Sequence, residues 1–148
     1  MLEEIEVTSE EAAETRATGV RLGRLLEPGE CLALRGPLGA GKTTMVQGIV
    51  AGAGGDQDVR SPTFLLHAIH PGRVTIHHLD LYRLADGVDL ESLGLEEHLE
   101  GGAAVVEWGE RARPGWFTGE VELEILGELR RRIRLRLAPP LAEAFRRG

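Results

Sequence analysis

The stretch Gly36-Pro-Leu-Gly-Ala-Gly-Lys-Thr43 decides the fold of this chain, because it matches the pattern G-x-x-x-x-G-K-[ST]. Glycines in such a loop let backbone amides converge on phosphate oxygens, and the helix that follows presents its positive N-terminus to the same anion. The pattern requires a strand before it and a helix after it. The apolar run 31–35 predicts a buried parallel strand, and residues 43–51 predict a helix. We therefore expect a phosphate-binding loop between them.

Lys42 is the only lysine in a chain that otherwise uses 16 arginines. A compact ammonium on a flexible stem can bridge β- and γ-phosphates, whereas a planar guanidinium is too wide for the loop. The Thr43 hydroxyl is expected to bind Mg²⁺. The nucleotide-binding residues predicted from the loop and the helix start are Gly36, Leu38, Gly39, Ala40, Gly41, Lys42, Thr43 and Thr44.

A second carboxylate on the metal side is expected at the end of a neighbouring apolar strand. Asp80 ends the segment 74–80, and Glu107 ends the more hydrophobic segment 103–107. Sites on parallel sheets lie beyond the carboxyl ends of the strands, so both positions fit. We favour Glu107 for the Mg²⁺ shell, with Asp80 directed at the γ-phosphate or the attacking water. Either acid is otherwise a helix cap or a surface residue.

Composition restricts the class of protein. The length of 148 residues predicts a single domain, 1–148, and an apolar content of 42% is sufficient for a core. The net charge of -7 argues against extensive binding of nucleic acid by this chain alone. One cysteine, Cys31, no basic leader and no run of membrane-spanning length lead us to expect a soluble cytoplasmic protein that does not bind a membrane.

Periodicity extends the prediction to the rest of the chain. Residues Thr8 and Glu11 read as a capping box that starts a helix reaching Pro28. Segments 64–69 and 73–79 predict a hairpin, Asp89 opens a short helix, and 103–106 is a second apolar strand. The fold class predicted is α/β: a three-layer, P-loop NTPase-like fold with a mixed, mainly parallel sheet. A C-terminal β-hairpin is expected from alternating residues at 121–125 and 133–137.

Histidines and arginines raise two further possibilities. His77 and His78 are neighbours that point to opposite faces of a strand, and no third ligand has a suitable spacing, so we do not predict a metal site there. His67 and His70 lie on the partner strand and are interpreted as structural. The arginines of 130–136 resemble a nucleic-acid patch, but their period of two opposite glutamates favours cross-strand ion pairs on a solvated face.

Four segments together resemble the TsaE family of bacterial ATPases: 36–44, Ser61-Pro-Thr-Phe64, His78-Leu-Asp-Leu-Tyr-Arg83 and Val106-Glu-Trp108. The resemblance runs from about residue 8 to residue 137. It implies a weak, Mg²⁺-dependent ATPase required for threonylcarbamoyladenosine modification of tRNA. In that family the protein acts on the TsaB–TsaD heterodimer and allows multiple turnovers, so tRNA is expected to be contacted only through the complex.

The resemblance also implies roles for single residues. Lys42, Asp80 and Glu107 would be the catalytic residues, with ATP and Mg²⁺ as cofactors and Thr43 and Glu107 as metal ligands. Trp108 would lie near the nucleotide, although the residues alone fit half-buried packing equally well. Arg131, with the segment near Thr15, would frame the adenine. The 61–63 loop, with Thr63, would act as a nucleotide-responsive switch, although spacing alone fits an ordinary turn equally well.

Two other functions fit a phosphate loop. A small-molecule kinase would need a lid and an acceptor site, for which 148 residues leave little room. A non-hydrolytic, ATP-dependent adaptor would use nucleotide occupancy alone to control docking.

Overall fold

A computed structural model describes residues 1–55, 67–82, 87, 89–112 and 115–148. Its strands are β1 (Glu3–Ser9), β2 (Cys31–Arg35), β3 (His67–His70), β4 (Thr75–Asp80), β5 (Gly102–Glu107), β6 (Gly119–Ile125) and β7 (Arg131–Leu137). Its α-helices are α1 (Ala12–Gly23), α2 (Lys42–Gly52), α3 (Leu95–Gly101) and α4 (Pro139–Arg147). Two short 3-10 helices cover Leu90–Leu93 and Gly109–Arg111.

The strands form one mixed sheet in the order β1-β7-β6-β2-β5-β4-β3. The four strands from β6 to β4 are mutually parallel, and antiparallel strands are added at both edges. This agrees with the predicted mixed sheet and its parallel middle. The apolar strands β2 and β5 pair at its centre, where both faces are buried, which explains their unbroken hydrophobic runs.

Helices cover both faces of the sheet, as predicted for a three-layer fold. On one face, α1, α2 and α4 contribute to the larger core, including Leu22, Ile49 and Phe145. On the other face, a smaller core gathers side chains from β2, β4, β5 and the segment around α3, including Leu79, Leu95 and Val106. Because successive side chains of a strand point to opposite faces, the position of each polar residue in β4 or β5 decides which of the two cores it faces.

Helix α2 packs against α1 with almost no space between the two backbones. A Cβ placed on Gly48 would lie 2.1 Å from the Arg16 carbonyl oxygen, and one on Gly23 would lie 2.1 Å from that of Ile49. Both distances are far below van der Waals contact, so glycine is required at this crossing. The close approach positions the start of α2 beside α1.

The start of α1 corrects one prediction. Thr8 is paired with Arg132 inside β1, so it caps no helix. The helix begins at Ala12, its N-cap Glu11 makes no side-chain cap bond, and the Glu14 carboxylate in its first turn accepts a 2.6 Å hydrogen bond from the Glu10 amide. The capping box was wrong because Thr8 pairs into a sheet edge that sequence analysis had not predicted. Helix α1 also ends at Gly23, before Pro28.

Other local predictions are confirmed within the described residues. Strands β3 and β4 form the hairpin, with His70 opposite Ile76, while residues 64–66 lie outside the described part. The helix expected after Asp89 is split, because Gly94 adopts a φ of 78° between the 3-10 turn and α3. The C-terminal hairpin of β6 and β7 is present. Strand β1 and helix α4 had not been predicted.

The arginines of β7 lie on a half-exposed face and form ion pairs. Arg132, Arg134 and Arg136 stand directly opposite Glu124, Glu122 and Glu120 of β6. The same arginines reach Glu6 and Glu4 of β1 on the other side. The solvated, ion-paired interpretation of this segment is therefore correct. None of the described helices has the length and apolar character needed to cross a membrane.

Candidate functional site

The glycine loop joins β2 to α2 and turns at residues that need unusual backbone angles. Gly39 and Gly41 have φ values of 80° and 102°, and Gly41 is the N-cap of α2. A side chain would strain both positions. The loop therefore carries its backbone around the N-terminus of α2, where amide donors and the positive end of the helix dipole coincide.

Lys42, the first residue of α2, is only 6% exposed. Its Nζ donates a hydrogen bond of 2.6 Å to the carbonyl oxygen of Gly36 at the other end of the loop. Burial lowers the pKa of the ammonium, and the carboxylates of Glu107, Glu110 and Asp80 oppose that shift. The Lys42 ammonium thus faces several acids.

Asp80 and Glu107 end the neighbouring strands β4 and β5 and are direct register partners. Glu107 is 3% exposed, and its Oε2 lies 2.5 Å from His78 Nε2. Asp80 is more open and accepts a 2.9 Å hydrogen bond from the Tyr82 amide. Both acids that the sequence singled out are therefore brought to the end of the sheet where Lys42 lies, but in different environments.

His78 was given no role by sequence analysis. It lies two residues before Asp80 on the same strand and so faces the same side of the sheet. It is fully buried, and it fixes the carboxylate of Glu107 from one side. The signal available in the sequence was this two-residue spacing.

Trp108 covers the ammonium of Lys42, with Nζ 3.9 Å from the ring centroid. It is the only non-glycine residue with positive φ in the described part of the chain, with φ 59° and ψ 40°. Such a conformation is costly for a tryptophan and concentrates at functional sites. Tyr82 packs on the same ring at 5.0 Å, and Trp108 also packs against the smaller core, so it lies where the site and that core meet.

Arg131, at the start of β7, ties the C-terminal hairpin to the glycine loop. Its guanidinium donates hydrogen bonds of 3.1 Å to the carbonyl oxygens of Ala40 and Gly39. A cavity of 160 Å³ opens beside it. The cavity is lined by Ala12, Thr15, Gly39, Ala40, Gly41, Thr44, Leu129 and Arg131.

The remaining predicted residues fall into three groups. Thr43 and Thr44 lie half-buried in the first turn of α2. Leu38, at the tip of the loop, is 67% exposed. Thr63, with the rest of the 61–63 loop, lies outside the described residues.

The arrangement suits a polyanion accompanied by a metal ion. The loop amides and Lys42 supply positive charge, and the two carboxylates at the strand ends, together with the Thr43 hydroxyl, are oxygen ligands of the type Mg²⁺ prefers. A carboxylate as buried as Glu107 is stabilised by opposite charge, which a metal ion beside Lys42 would add.

Comparison with known proteins gives a consistent result. The model of the family described as "Threonylcarbamoyl adenosine biosynthesis protein TsaE" matches residues 9–133. The tRNA threonylcarbamoyladenosine biosynthesis protein TsaE of Treponema pallidum is 41% identical over 128 residues, covering 84% of this chain and 95% of that protein. The protein of the same name from Streptomyces coelicolor is 43% identical over 99 residues, covering 64% and 67%.

The fold is also similar to a solved structure. The crystal structure of YdiB from Bacillus subtilis gives a TM-score of 0.76 at 25% identity and covers 99% of this chain and 97% of that one. Since the family model spans most of the chain and the relatives agree with it, the chain belongs to the TsaE family of threonylcarbamoyl adenosine biosynthesis proteins.

Proposed function

We propose that this chain binds ATP with Mg²⁺ and hydrolyses it slowly in the service of threonylcarbamoyladenosine formation on tRNA. The observation that carries the proposal is the meeting of a buried Lys42, at the start of α2, with two carboxylates from adjacent strand ends. Phosphoryl transfer depends mainly on positioning and on charge stabilisation, and this arrangement supplies both.

The position of each residue suggests its role in binding or hydrolysing ATP. Lys42 would exchange its bond to the Gly36 carbonyl for β- and γ-phosphate oxygens. Thr43 and Glu107 would hold Mg²⁺, which neutralises charge on the phosphates when bound. His78 holds Glu107 in a fixed orientation. Asp80, which is more open to solvent, would orient the attacking water.

The base end of the nucleotide would enter the cavity between α1 and the C-terminal hairpin. Thr15 and Arg131 line that cavity, and neither Asp80 nor Glu107 is part of its lining. Because Arg131 also holds the backbone of the loop, we propose that occupancy of the cavity and the shape of the loop are coupled.

We further propose that the activity serves a partner complex, the TsaB–TsaD heterodimer, and that tRNA is reached through that complex. The net charge of -7 supports an indirect role, since an acidic chain repels a phosphate backbone. Trp108, which covers Lys42, contacts Tyr82, and Tyr82 is exposed. A docked partner that contacts Tyr82 would therefore be close to the nucleotide.

Reconstitution with TsaB–TsaD tests the proposal, with phosphate release and modified tRNA measured together. Glu107→Gln should retain the fold but lose both readouts, and Asp80→Asn should retain ATP binding but lose hydrolysis. Glu124→Gln, a change to the ion-paired face of β6, is the matched control and should behave as wild type. If Asp80→Asn no longer hydrolyses ATP but still supports repeated rounds of tRNA modification, nucleotide occupancy alone is the function and the adaptor alternative is correct. Phosphate transfer to a metabolite without partners would favour the kinase alternative.

A further inference from the structure

Three histidines from three elements meet on the face of the sheet that carries the smaller core, opposite the face that α2 covers. His67 lies on β3, His77 on β4 and His98 on α3. One ring nitrogen from each lies within 4.8 Å of those of the other two. No third ligand for His77 was predicted, because His98 lies 21 residues further along the chain, on a helix that only the fold brings near.

We propose that His67, His77 and His98 bind a zinc-class divalent cation. Imidazole nitrogens suit Zn²⁺ and its neighbours Co²⁺, Ni²⁺ and Cu²⁺, and three histidines are a recognised ligand set for zinc. The site is separate from the one assigned to Mg²⁺, which prefers oxygen ligands.

The distances are close to those required. Zinc–nitrogen bonds of about 2.0–2.1 Å in a tetrahedron place the ligand nitrogens about 3.3–3.4 Å apart. His67 Nε2 and His77 Nδ1 are already 2.9 Å apart, and the ring of His98 lies 4.4 Å from each of the other two, centroid to centroid. The rings of His77 and His98 are stacked at an interplanar angle of 19°, so the half-buried His98 would have to turn out of the stack for its lone pair to meet the same ion.

The rings of His67 and His77 hold an extra proton weakly. Burial and the neighbouring histidines lower the pKa of His67, and they lower the pKa of His77 to about 4. At neutral pH these rings are uncharged and offer lone pairs. The 2.9 Å contact between His67 Nε2 and His77 Nδ1 then carries one N–H, and for both nitrogens to bind a metal ion the donating ring would move that proton to its other nitrogen.

The backbone leaves room for the cluster. A Cβ on Gly102 would lie 3.1 Å from His77 Nε2, and one on Gly94 would lie 3.5 Å from His98 Nε2. A side chain at Gly102 would therefore crowd the ring of His77. Among the described residues, no cysteine or carboxylate joins the three rings, which leaves a fourth coordination position for water.

A bound cation would link the β3–β4 hairpin to α3 and would stabilise β4 on the face opposite His78. His77 faces the cluster, whereas its neighbour His78 faces Glu107. A metal on one face of β4 therefore supports the strand that carries His78 and Asp80 on the other.

Titration of the full chain with ZnCl₂, without nucleotide, tests the inference by calorimetry and thermal unfolding. We expect one Zn²⁺ per chain and a rise in melting temperature that MgCl₂ does not reproduce. His98→Asn should weaken zinc binding by about 100-fold. Co²⁺ should give the visible absorption of a four-coordinate complex, and His98→Asn should abolish it.

Three further variants separate the possible outcomes. His67→Asn, at the edge strand, should repeat the loss of zinc binding even if His98→Asn fails to fold. His70→Asn, on the same hairpin but the opposite face, should bind zinc as wild type does. Glu107→Gln should also retain the zinc effect, and if it abolishes that effect the ion lies at the nucleotide site and the inference is wrong. Equal zinc affinity in wild type and His67→Asn would likewise overturn it, leaving a packed histidine cluster.

Discussion

On β1, β6 and β7, glutamates and arginines stand in cross-strand register on a half-exposed face, whereas on β4 and β5 the charged and polar groups are buried in a small cluster. Arg134 reaches Glu6, Glu122 and Glu124 at 3.6–3.8 Å in water-accessible surroundings. Glu107 meets His78 at 2.5 Å with both side chains nearly inaccessible. An exposed glutamate such as Glu124 has two arginines within reach, whereas the carboxylate of Glu107 is held in a buried contact with His78.

The difference follows from dielectric screening. Exposed ion pairs contribute about 0–1 kcal/mol each, because water and salt screen them. A buried charge that loses its partner costs about 3–5 kcal/mol. The antiparallel half therefore distributes its electrostatic energy over many weak pairs, and the parallel half concentrates it where chemistry is proposed.

The largest expected effect is on nucleotide binding. Lys42→Ala removes the one ammonium at the loop, and we expect ATP affinity to fall by about 100-fold or more, since charged hydrogen bonds contribute about 1.5–3 kcal/mol each. Titration with a fluorescent ATP analogue measures the loss. Arg134→Ala, which also removes a cation but from the ion-paired face, should leave the affinity unchanged.

A lysine-selective reagent gives an independent check, because Lys42 is the only lysine. Bound ATP should protect Lys42 from modification while the N-terminal amine still reacts. Equal labelling of both groups with ATP bound would place the phosphates elsewhere.

The second effect is on folding stability. His78→Ala leaves Glu107 buried without its nearest partner, so we expect the free energy of unfolding to fall by about 3 kcal/mol. Urea denaturation measures it. Arg132→Ala, which breaks the pair with Glu124, should cost less than about 1 kcal/mol. Similar losses for the two variants would contradict the contrast between the halves.

A smaller effect is expected from pH. The pKa of His77 is about 4 in the folded protein against 6.5 as its ordinary value, because the ring is buried and faces His98 and His67. Between these values the unfolded chain binds the extra proton, so stability rises with pH across this window. Acidification from pH 6.5 to pH 4 should remove about 2–3 kcal/mol through this residue. His77→Asn should flatten the corresponding slope, and an unchanged slope would mean that His77 titrates normally.

The smallest effect is on the ion-paired face itself. Arg134→Ala should lower the free energy of unfolding by less than about 1 kcal/mol, and the difference from wild type should shrink further in 1 M salt. A large loss that persists in salt would show that these pairs act as a rigid network.

Much of the fold was predictable because local patterns and tertiary structure agree. In three regions the local sequence favours a single structure, and the chain adopts it there. These are the glycine loop, the apolar strands β2 and β5, and the strands β6 and β7 with their alternating residues. The prediction was wrong at Thr8, where a capping pattern lies within an edge strand paired to β7. Sheet pairing overrode the local signal there, since the partner strand is more than 120 residues away.

The candidate site shows the same limit. Lys42 was chosen from the glycine-loop pattern, and Asp80 and Glu107 from their positions at the ends of strands, and the structure brings the three together. His78 was not predicted because its role depends on the register between β4 and β5, and His98 because α3 folds back on the hairpin. The spacing of His78 from Asp80 indicates a shared face of β4, but neither its contact with Glu107 nor the position of His98 follows from spacing along the chain.

The sequence by itself determined the lone lysine in its glycine loop, the apolar strands that flank it and the alternation that pairs arginine with glutamate. Those features depend on neighbours within a few residues, where backbone angles and side-chain periodicity act directly. Only the tertiary structure decided that Glu107 is held by His78, that Trp108 covers Lys42 and that three histidines meet behind β4. Contacts of that kind depend on strand register and on which face of the sheet each helix covers, because these bring together residues that are remote in the chain.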